Sequence, residues 1–216
     1  MRRPVHEHLN AWKGEYGKSV WRGPYDTGPI VAEVPPGARV LDAGCGSGKM
    51  TIPLARAGYR LVGLDLVREG LLEMRGDIGL VAGDVRGLPF RDGAFGAVVC
   101  YDVLQHLLAP ERARAAAEIG RVLAPGGVAF LAGFGRGDMR YGGKEVEPHT
   151  FRRESGIIYH YFSEEEMRSL LPGLDDVTVE TVVTHRTFRG QAYERCRVFA
   201  RGRKGPKNVL QPIVYK

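Results

Sequence analysis

A glycine-rich loop that follows directly on a short apolar strand constrains this chain more than any other feature. The strand is predicted over Arg39–Ala43, and the segment GCGSG after it places glycine at positions 44, 46 and 48. Glycine is needed where a chain turns sharply and a ligand lies against bare backbone. The loop then opens a predicted helix, so we expect the first strand–loop–helix unit of a mostly parallel sheet.

Apolar runs alternate with helical patterns along the rest of the chain. This alternation predicts an α/β fold of three layers, with a doubly wound, mostly parallel sheet covered by helices on both faces. The strands are expected at 39–43, 60–64, 79–82, 97–101, 128–132, 177–183 and 194–200, and the helices near 49–57, 69–75, 110–123 and 164–171. Ser163 and Glu166 predict a capping box at the start of the last helix. Residues 134–162 are expected to be irregular.

Residues around the glycine loop limit the class of ligand that it is expected to bind. A dinucleotide fingerprint that began at Gly44 would need a further glycine at position 49, where this chain has Lys49. Asp42 ends the first strand, and its carboxylate would repel a pyrophosphate but attract an ammonium group. Asp65 and Asp84 follow the second and third strands, where acids accept hydrogen bonds from a ribose diol and an adenine amine. Together these positions favour an adenosyl amino acid.

The same stretches resemble a known family. LDAGCGSGK, LVGLDL, GDVRGLPFRDGAFGAVVCYDVLQHL and RVLAPGGVAFL are similar to successive motifs of the class I S-adenosylmethionine-dependent methyltransferases, particularly their type 11 group. The resemblance covers about 39–131 and implies a Rossmann-like fold with an antiparallel last strand. It also implies S-adenosylmethionine as cofactor. The cofactor-binding residues it implies are Asp42, Gly44, Cys45, Gly46, Asp65, Leu66, Asp84, Val85, Tyr101 and Asp102.

Other candidate residues lie beyond these motifs. His106 follows the fourth strand and is a candidate general base or acceptor-orienting group, as is Tyr101 at the sulfonium end, although His106 is equally compatible with a structural role. Trp12, Trp21 and Arg22 are candidates for a lid over the cofactor, against the alternative of plain helix packing. The candidate acceptor-binding residues are His149, Arg152, Tyr159, His160, Arg186 and Arg189.

The charge distribution and the cysteine content limit the possible partners, metal sites and cell compartments. Residues 181–216 hold nine Lys and Arg and one acid, Glu194, whereas residues 1–180 are slightly acidic. Such a basic end indicates either contact with a polyanion such as RNA or a solvated tail. The three cysteines form no metal or disulfide pattern, so we expect no metal and a reducing compartment. We expect no signal peptide and no membrane span, hence a cytoplasmic protein.

The sequence therefore predicts in-line methyl transfer to an acceptor that it does not identify. A small molecule is favoured, with a tRNA, another RNA or a protein as alternatives, and a non-catalytic cofactor-binding subunit as a rival of another class. The expected organisation is an N-terminal lid at 1–34, a methyltransferase domain at 35–200 with an acceptor-side insertion at 134–162, and a basic tail at 201–216.

Overall fold

The described part of the chain contains a seven-stranded sheet and a smaller three-stranded sheet. The computed structural model describes residues 10–14, 24–74, 76–188 and 190–206, without the side chains of Arg186 and Phe188. The strands are β1 Arg39–Ala43, β2 Arg60–Asp65, β3 Gly79–Ala82, β4 Phe95–Tyr101, β5 Leu123–Phe134, β6 Lys144–Glu147, β7 Thr150–Arg152, β8 Ile158–His160, β9 Asp175–Phe188 and β10 Gln191–Arg203.

The strand order of the large sheet is β3-β2-β1-β4-β5-β10-β9. β1 to β5 are parallel to one another, and β10 is antiparallel to both β5 and β9. This confirms the predicted Rossmann-like sheet with an antiparallel last strand. The chain order reverses between β1 and β4, and a crevice at such a point is where open α/β sheets bind ligands.

Four of the described helices lie where the sequence predicts them, three of them shorter than expected, whereas the helix Gly28–Glu33 and a short 3-10 helix were not among the predicted helices. They are α1 Gly28–Glu33, α2 Thr51–Arg56, α3 Arg68–Leu71, α4 Ala109–Val122 and α5 Glu164–Ser169, with a 3-10 helix at Leu104–His106. Residues 10–14 are also helical. In the part of the chain that the structure describes, no helix is long and apolar enough to cross a membrane.

Side chains of the central strands alternate between two apolar layers. Leu41 lies on one face of β1 and belongs to a buried cluster that includes Ile119 of α4. Val40 lies on the opposite face, in a cluster with Ile30 of α1 and Leu54 of α2. Because both faces of the sheet are covered, the strands are nearly continuous apolar runs, as parallel sheets require.

The segment 134–162 is not irregular, contrary to our expectation. β6, β7 and β8 form an antiparallel sheet of their own, with Thr150 opposite His160 and Arg152 opposite Ile158. The prediction failed because these strands are only three or four residues long, too short for an alternating pattern to stand out.

The last two strands are longer than predicted. β10 continues to Arg203, so Arg201 and Arg203 belong to the sheet and not to a tail. Both arginines pair with Glu33 at the end of α1, Arg201 Nε at 2.7 Å and Arg203 Nη2 at 3.0 Å. These ion pairs fasten the end of β10 to the helical layer, so the basic residues at this edge have a structural role.

The capping box at α5 gives a direct test of the local structure. Ser163 Oγ accepts a hydrogen bond from the Glu166 backbone N–H at 3.2 Å, and Glu166 Oε2 accepts from the Ser163 N–H at 3.0 Å. Ser163→Ala removes the cap, and we expect it to lower the free energy of unfolding by about 1 kcal/mol in a denaturant titration. Ser169→Ala, at the exposed end of the same helix, is the control and should change it by less than about 0.5 kcal/mol. Equal effects would contradict the capping role.

Candidate functional site

A cavity of about 200 Å³ lies at the carboxyl ends of β1, β2, β3 and β4, where the sheet order reverses. Nine residues predicted from the sequence line it: Gly44, Cys45, Gly46, Asp65, Leu66, Asp84, Val85, Tyr101 and Asp102. They come from four strand ends that are far apart in the sequence. The parallel sheet brings them together because its strands all point the same way.

The glycine loop is shaped by backbone bonds and by a close contact. The N–H groups of Gly44 and Cys45 both donate to the carbonyl of Leu64, at 2.6 and 3.0 Å. Gly44 has a φ of 89°, and a Cβ there would clash with the Val103 side chain. Any other residue at position 44 would therefore be strained and would push the loop away from β4.

Asp65 fixes the loop from the neighbouring strand. Its carboxylate is buried and accepts hydrogen bonds from the backbone N–H groups of Gly46 and Val67, each at 2.8 Å. The carboxylate still lines the cavity. A carboxylate oxygen has more than one lone pair, so Asp65 retains capacity to accept from a ligand hydroxyl.

Asp42 lies beneath the loop and does not line the cavity, unlike the other acids predicted for this site. Its carboxylate is buried and accepts a hydrogen bond from the Thr51 hydroxyl at 2.5 Å. Burial raises the pKa of Asp42 to about 7, an effect that the Thr51 hydrogen bond opposes and the nearby charge of Asp65 reinforces. Its influence on a ligand would therefore pass through the loop.

At the third strand end, Asp84 is held by a residue that the sequence did not single out. Arg86 Nε lies 3.0 Å from both carboxylate oxygens of Asp84, and Arg86 Nη2 is 2.6 Å from Oδ2. Arg86 also pairs with Glu111 of α4, and this arrangement raises the pKa of the guanidinium. Arg86 lines the cavity beside Asp84 and Val85, so the negative charge of Asp84 on this wall is paired with the Arg86 guanidinium.

A second network closes the cavity beside the fourth strand. Asp102 has a φ of 59° and accepts hydrogen bonds from the Tyr25 hydroxyl at 2.5 Å and from Arg197 Nη2 at 2.8 Å. Burial, reinforced by the charge of Asp102, raises the pKa of Tyr25 well above its usual range. Burial likewise raises the pKa of Tyr101 to about 12. Both hydroxyls therefore stay protonated at neutral pH.

His106 lines the cavity with both ring nitrogens in contact with protein groups. Nδ1 is 2.9 Å from the carbonyl of Ile158, which only accepts, so Nδ1 carries the proton. Nε2 is 3.3 Å from Gln105 Nε2, and Gln105 Oε1 accepts from the Phe134 N–H at 3.0 Å. That backbone bond sets the orientation of the amide, and the whole network fits the neutral imidazole.

Of the predicted acceptor residues, Tyr159 alone is among the described residues that line the cavity. His160 is buried on the far side of β8, where Nδ1 lies 2.7 Å from the Thr150 hydroxyl; burial lowers its pKa to about 4. His149 is hydrogen-bonded to Tyr141 at 2.6 Å, and Arg152 does not reach the cavity. Alternation along the short strands separates them, since neighbouring side chains point to opposite faces.

Several predicted residues lie outside what the structure describes. These are Trp21, Arg22 and Arg189, together with the side chain of Arg186, whose backbone is in β9 opposite Tyr193. Trp12 is described and lines the cavity, with its ring edge-on to His106 at a centroid distance of 4.6 Å.

Sequence reasoning missed some residues of the cavity. They are Tyr25, Arg86, Gln105, Leu107 and Phe134. Phe134 ends β5, so the strand-end rule used for the acids would have found it had the end of β5 been placed correctly. Tyr25 carries no local signal, because it reaches the site through contacts with residues distant in the sequence, Asp102 and Tyr101 among them.

Metal binding receives no support from the described part of the chain. No group of three or more His, Cys, Asp and Glu residues is arranged there to hold an ion. Cys45, Cys100 and Cys196 are free thiols, and all three are buried.

Known proteins share this sequence pattern and this fold. Residues 41–131 match the sequence model of a family described as methyltransferase domain. A demethylmenaquinone methyltransferase of Renibacterium salmoninarum is 41% identical over 103 residues, which cover 46% of this chain and 42% of that protein. The chain thus matches less than half the length of this curated relative.

Two solved structures show the same fold. A SAM-dependent methyltransferase of Methanosarcina mazei superposes with a TM-score of 0.68 at 23% identity, covering 86% of this chain and 100% of that one. The 1,6-didemethyltoxoflavin-N1-methyltransferase of Burkholderia thailandensis, solved with 1,6-didemethyltoxoflavin and S-adenosylhomocysteine, gives 0.65 at 20% identity, covering 95% and 92%.

The sheet order and the cavity at its switch point give the chain the Rossmann-like fold of these solved methyltransferases. Residues 41–131 also carry the sequence pattern of the methyltransferase-domain family.

The raised pKa of Asp42 predicts a pH dependence of stability. Between about pH 4 and pH 7 the folded protein keeps a proton on Asp42 that the unfolded chain has lost, so this group makes folding less favourable as the pH rises through that window. The loss reaches at most about 4 kcal/mol, at about 1.4 kcal/mol per pKa unit. Asp42→Asn should remove this component, which denaturant titrations across the window would measure. Asp77→Asn, at an exposed site, should leave it in place; equal pH slopes for wild type and Asp42→Asn would contradict the assignment.

Proposed function

We propose that this chain binds S-adenosylmethionine in the strand-end cavity and transfers its methyl group to a small molecule. The observation that carries the proposal is that Asp42, Asp65 and Asp84 lie near the ends of the adjacent strands β1, β2 and β3, beside the glycine loop. Asp65 would accept from the ribose hydroxyls, and Asp84 with the Val85 backbone would bind the adenine edge. Leu66 would pack on the adenine face.

The glycine loop would hold the other end of the cofactor. Gly44, Cys45 and Gly46 would border the methionine part, with Asp42 acting on its ammonium group from below the loop. Tyr101 and Asp102 would line the sulfonium end. Trp21 and Arg22 remain predicted lid residues. When bound, the cofactor supplies a methyl group on a positively charged sulfur, and the chain's own task is to align donor and acceptor in a dry cavity.

The basic C-terminal end supports a small acceptor more than RNA. The cations of this end that the structure describes are bonded within the protein: Arg195 to Asp138, Arg197 to Asp102, and Arg201 and Arg203 to Glu33. Lys204 Nζ lies 2.7 Å from the carbonyl of Gly120 and 2.8 Å from that of Leu123. Side chains held in this way offer little of the surface charge that phosphate contacts need.

The domain limits and the location follow as part of the same proposal. Residues 35–200 would form the catalytic domain, with β10 adding three residues that we first assigned to the tail at 201–216. The segment 134–162 would form the acceptor side and residues 1–34 the lid. Three buried, free thiols fit a reducing compartment, and we propose the cytoplasm.

The most direct experiment uses the cofactor labelled on its methyl group. The protein is incubated with it and with small-molecule, RNA and protein fractions of a cell extract, and the labelled fraction identifies the acceptor class. Label in the small-molecule fraction supports the proposal. Label in RNA or protein contradicts the acceptor, and tight cofactor binding with no label in any fraction supports a non-catalytic subunit.

Asp65 provides a test of the cofactor site. Asp65→Ala removes a charged acceptor from the predicted ribose position, and we expect cofactor binding to weaken by about 1.5–3 kcal/mol, roughly 10- to 150-fold in Kd. Calorimetric titration measures the change. Asp77→Ala, an exposed acid outside the cavity, is the control and should bind as the wild type does. Unchanged affinity in Asp65→Ala would remove this carboxylate from the site.

Salt dependence separates a small acceptor from RNA. Each phosphate contact contributes about −0.7 to −0.9 to the slope of log affinity against log salt, so an RNA substrate predicts a steep loss between about 50 and 200 mM salt. For an uncharged small acceptor we expect a nearly flat dependence of methyl transfer. The double variant Arg201→Gln, Arg203→Gln should lower the thermal midpoint, because it breaks both pairs with Glu33, without changing turnover. A steep slope that this variant flattens would overturn the small-molecule assignment.

A further inference from the structure

The side of the cavity away from the cofactor-binding acids is lined by uncharged and mostly aromatic groups. We call it the aromatic half; it consists of Trp12, Gln105, His106, Leu107, Phe134 and Tyr159. We propose, building on the methyl transfer proposed above, that the acceptor is an uncharged, flat N-heteroaromatic molecule that is methylated on a ring nitrogen.

The rings of this half are arranged in a regular way. Trp12 and Tyr159 both lie edge-on to His106, with centroid distances of 4.6 and 4.8 Å and interplanar angles of 77° and 83°. Phe134 is parallel to Tyr159, at 5.9 Å and 3°. Ring faces and edges at these distances are suited to stacking and edge contacts with a flat conjugated ligand.

The aromatic wall is held from behind by cations that do not enter the cavity. Arg140 and Arg195 lie over the Phe134 ring, at 3.7 and 5.8 Å from its centroid. Both guanidiniums are anchored to the buried carboxylate of Asp138, at 2.8 and 3.0 Å. Neither arginine lines the cavity, so the wall is rigid but provides no cation for an anionic acceptor.

The aromatic half also provides no strong base. Among its described residues there is no carboxylate and no amine. His106 donates from Nδ1 to Ile158 and contacts Gln105 through Nε2, and the orientation of the Gln105 amide is set by the Phe134 N–H. A proton on Nε2 would face the Gln105 amide hydrogens, so this arrangement resists proton uptake from an acceptor.

The carboxylate of Asp102, which also lines the cavity, is already paired and does not supply a base. Asp102 is bonded to the Tyr25 hydroxyl and to Arg197, which together satisfy and neutralise it. Lys49 also lines the cavity, but its Nζ lies 5.9 Å from the centroid of the Tyr25 ring, on the side of Asp102 and not among the aromatic half. An acceptor that lies against the aromatic half is therefore expected to bring a lone pair that is available without deprotonation. A phenol or an alcohol needs a base or a cation beside its oxygen, whereas the in-plane lone pair of a neutral heteroaromatic nitrogen needs neither.

The transfer step balances without a protein proton acceptor. The ring-nitrogen lone pair forms the bond to the methyl carbon, and the electrons of the carbon–sulfur bond return to sulfur. The positive charge thereby moves from the sulfonium to the methylated ring; if the ring also carries an N–H, that proton leaves to water. Trp12 and Tyr159 line the cavity, and aromatic rings of this kind stabilise a nearby positive charge by cation–π contact.

A binding experiment with small probes tests the acceptor class. The protein is saturated with S-adenosylhomocysteine and titrated calorimetrically with quinoline, 1-naphthol, 2-naphthoate and decahydroquinoline, which represent a neutral heteroaromatic, a ring hydroxyl, an anion and a saturated amine. We expect quinoline to bind at least about ten-fold more tightly than the other three, a difference of about 1.4 kcal/mol, and to become N-methylated when the labelled cofactor is supplied. Tighter binding or methylation of any of the other three would overturn the proposal.

Two variants separate the aromatic half from the rest of the site. Tyr159→Leu should weaken quinoline binding by about ten-fold or more and leave S-adenosylhomocysteine binding unchanged, which also shows that the variant is folded. Tyr141→Leu, which removes a half-exposed tyrosine outside the cavity, should affect neither ligand. Equal quinoline affinities for Tyr159→Leu and the wild type would contradict the role of this ring.

His106→Gln tests the absence of a base. Loss of a general base costs about 10²- to 10⁴-fold in kcat. Loss of a wall residue should raise KM for quinoline and lower kcat by less than about ten-fold, so a drop of about a hundred-fold or more would overturn the proposal. Failure of the wild type to bind S-adenosylhomocysteine would instead refute the proposed function itself, whereas binding of that molecule without any binding of quinoline would refute the acceptor class alone.

Discussion

The carboxylate of Asp65 joins two loops that would otherwise be independent. It accepts one hydrogen bond from Gly46 in the glycine loop and another from Val67 at the start of the next helical segment. Two further bonds, from Gly44 and Cys45 to the Leu64 carbonyl, bind the same loop to the end of β2. The shape of the cavity depends on this cross-link, because a free glycine-rich loop would sample many conformations. A side chain predicted to bind the ligand thus also builds the place where the ligand would lie.

The side of the cavity that Asp65 and Asp84 line was predictable from the sequence, because its signals are local. Each of Asp42, Asp65 and Asp84 lies within two residues of the end of a strand. The rule that parallel strands end at one edge of the sheet assembles them without any knowledge of long-range contacts. The rule did not show that Asp42 lies under the loop and away from the cavity. That difference arises from the Thr51 hydroxyl, which binds Asp42 from the following helix.

The aromatic half of the cavity was predictable only in part, for two physical reasons. The strands between 144 and 160 are too short to reveal which side chains share a face, and the structure places Tyr159 on the cavity while His160 faces the opposite way. Gln105 and Phe134 are 29 positions apart and are joined by a hydrogen bond from the Phe134 N–H to the Gln105 side chain. No spacing rule connects residues of that kind.

The basic C-terminal end shows why a count of charges is a weak guide to a binding surface. The acids that balance it are distant in the sequence, since Glu33, Asp102 and Asp138 pair with arginines of β10 through the antiparallel insertion of that strand. The described arginines of this segment therefore help to hold the sheet together, although the sequence alone counts them as surface charge.

The two halves of the cavity also come from different parts of the chain. The cofactor half is built from the ends of the strands that form the core, where a substitution would disturb the packing of the whole domain. The wall formed by Phe134 and Tyr159 comes from the segment 134–162, which begins at the last residue of β5 and ends just before α5. Substitutions confined to the surface of this segment would reshape that wall and leave the strand ends that bear Asp65 and Asp84 in place, so a chain of this design can acquire a different substrate through one short insertion.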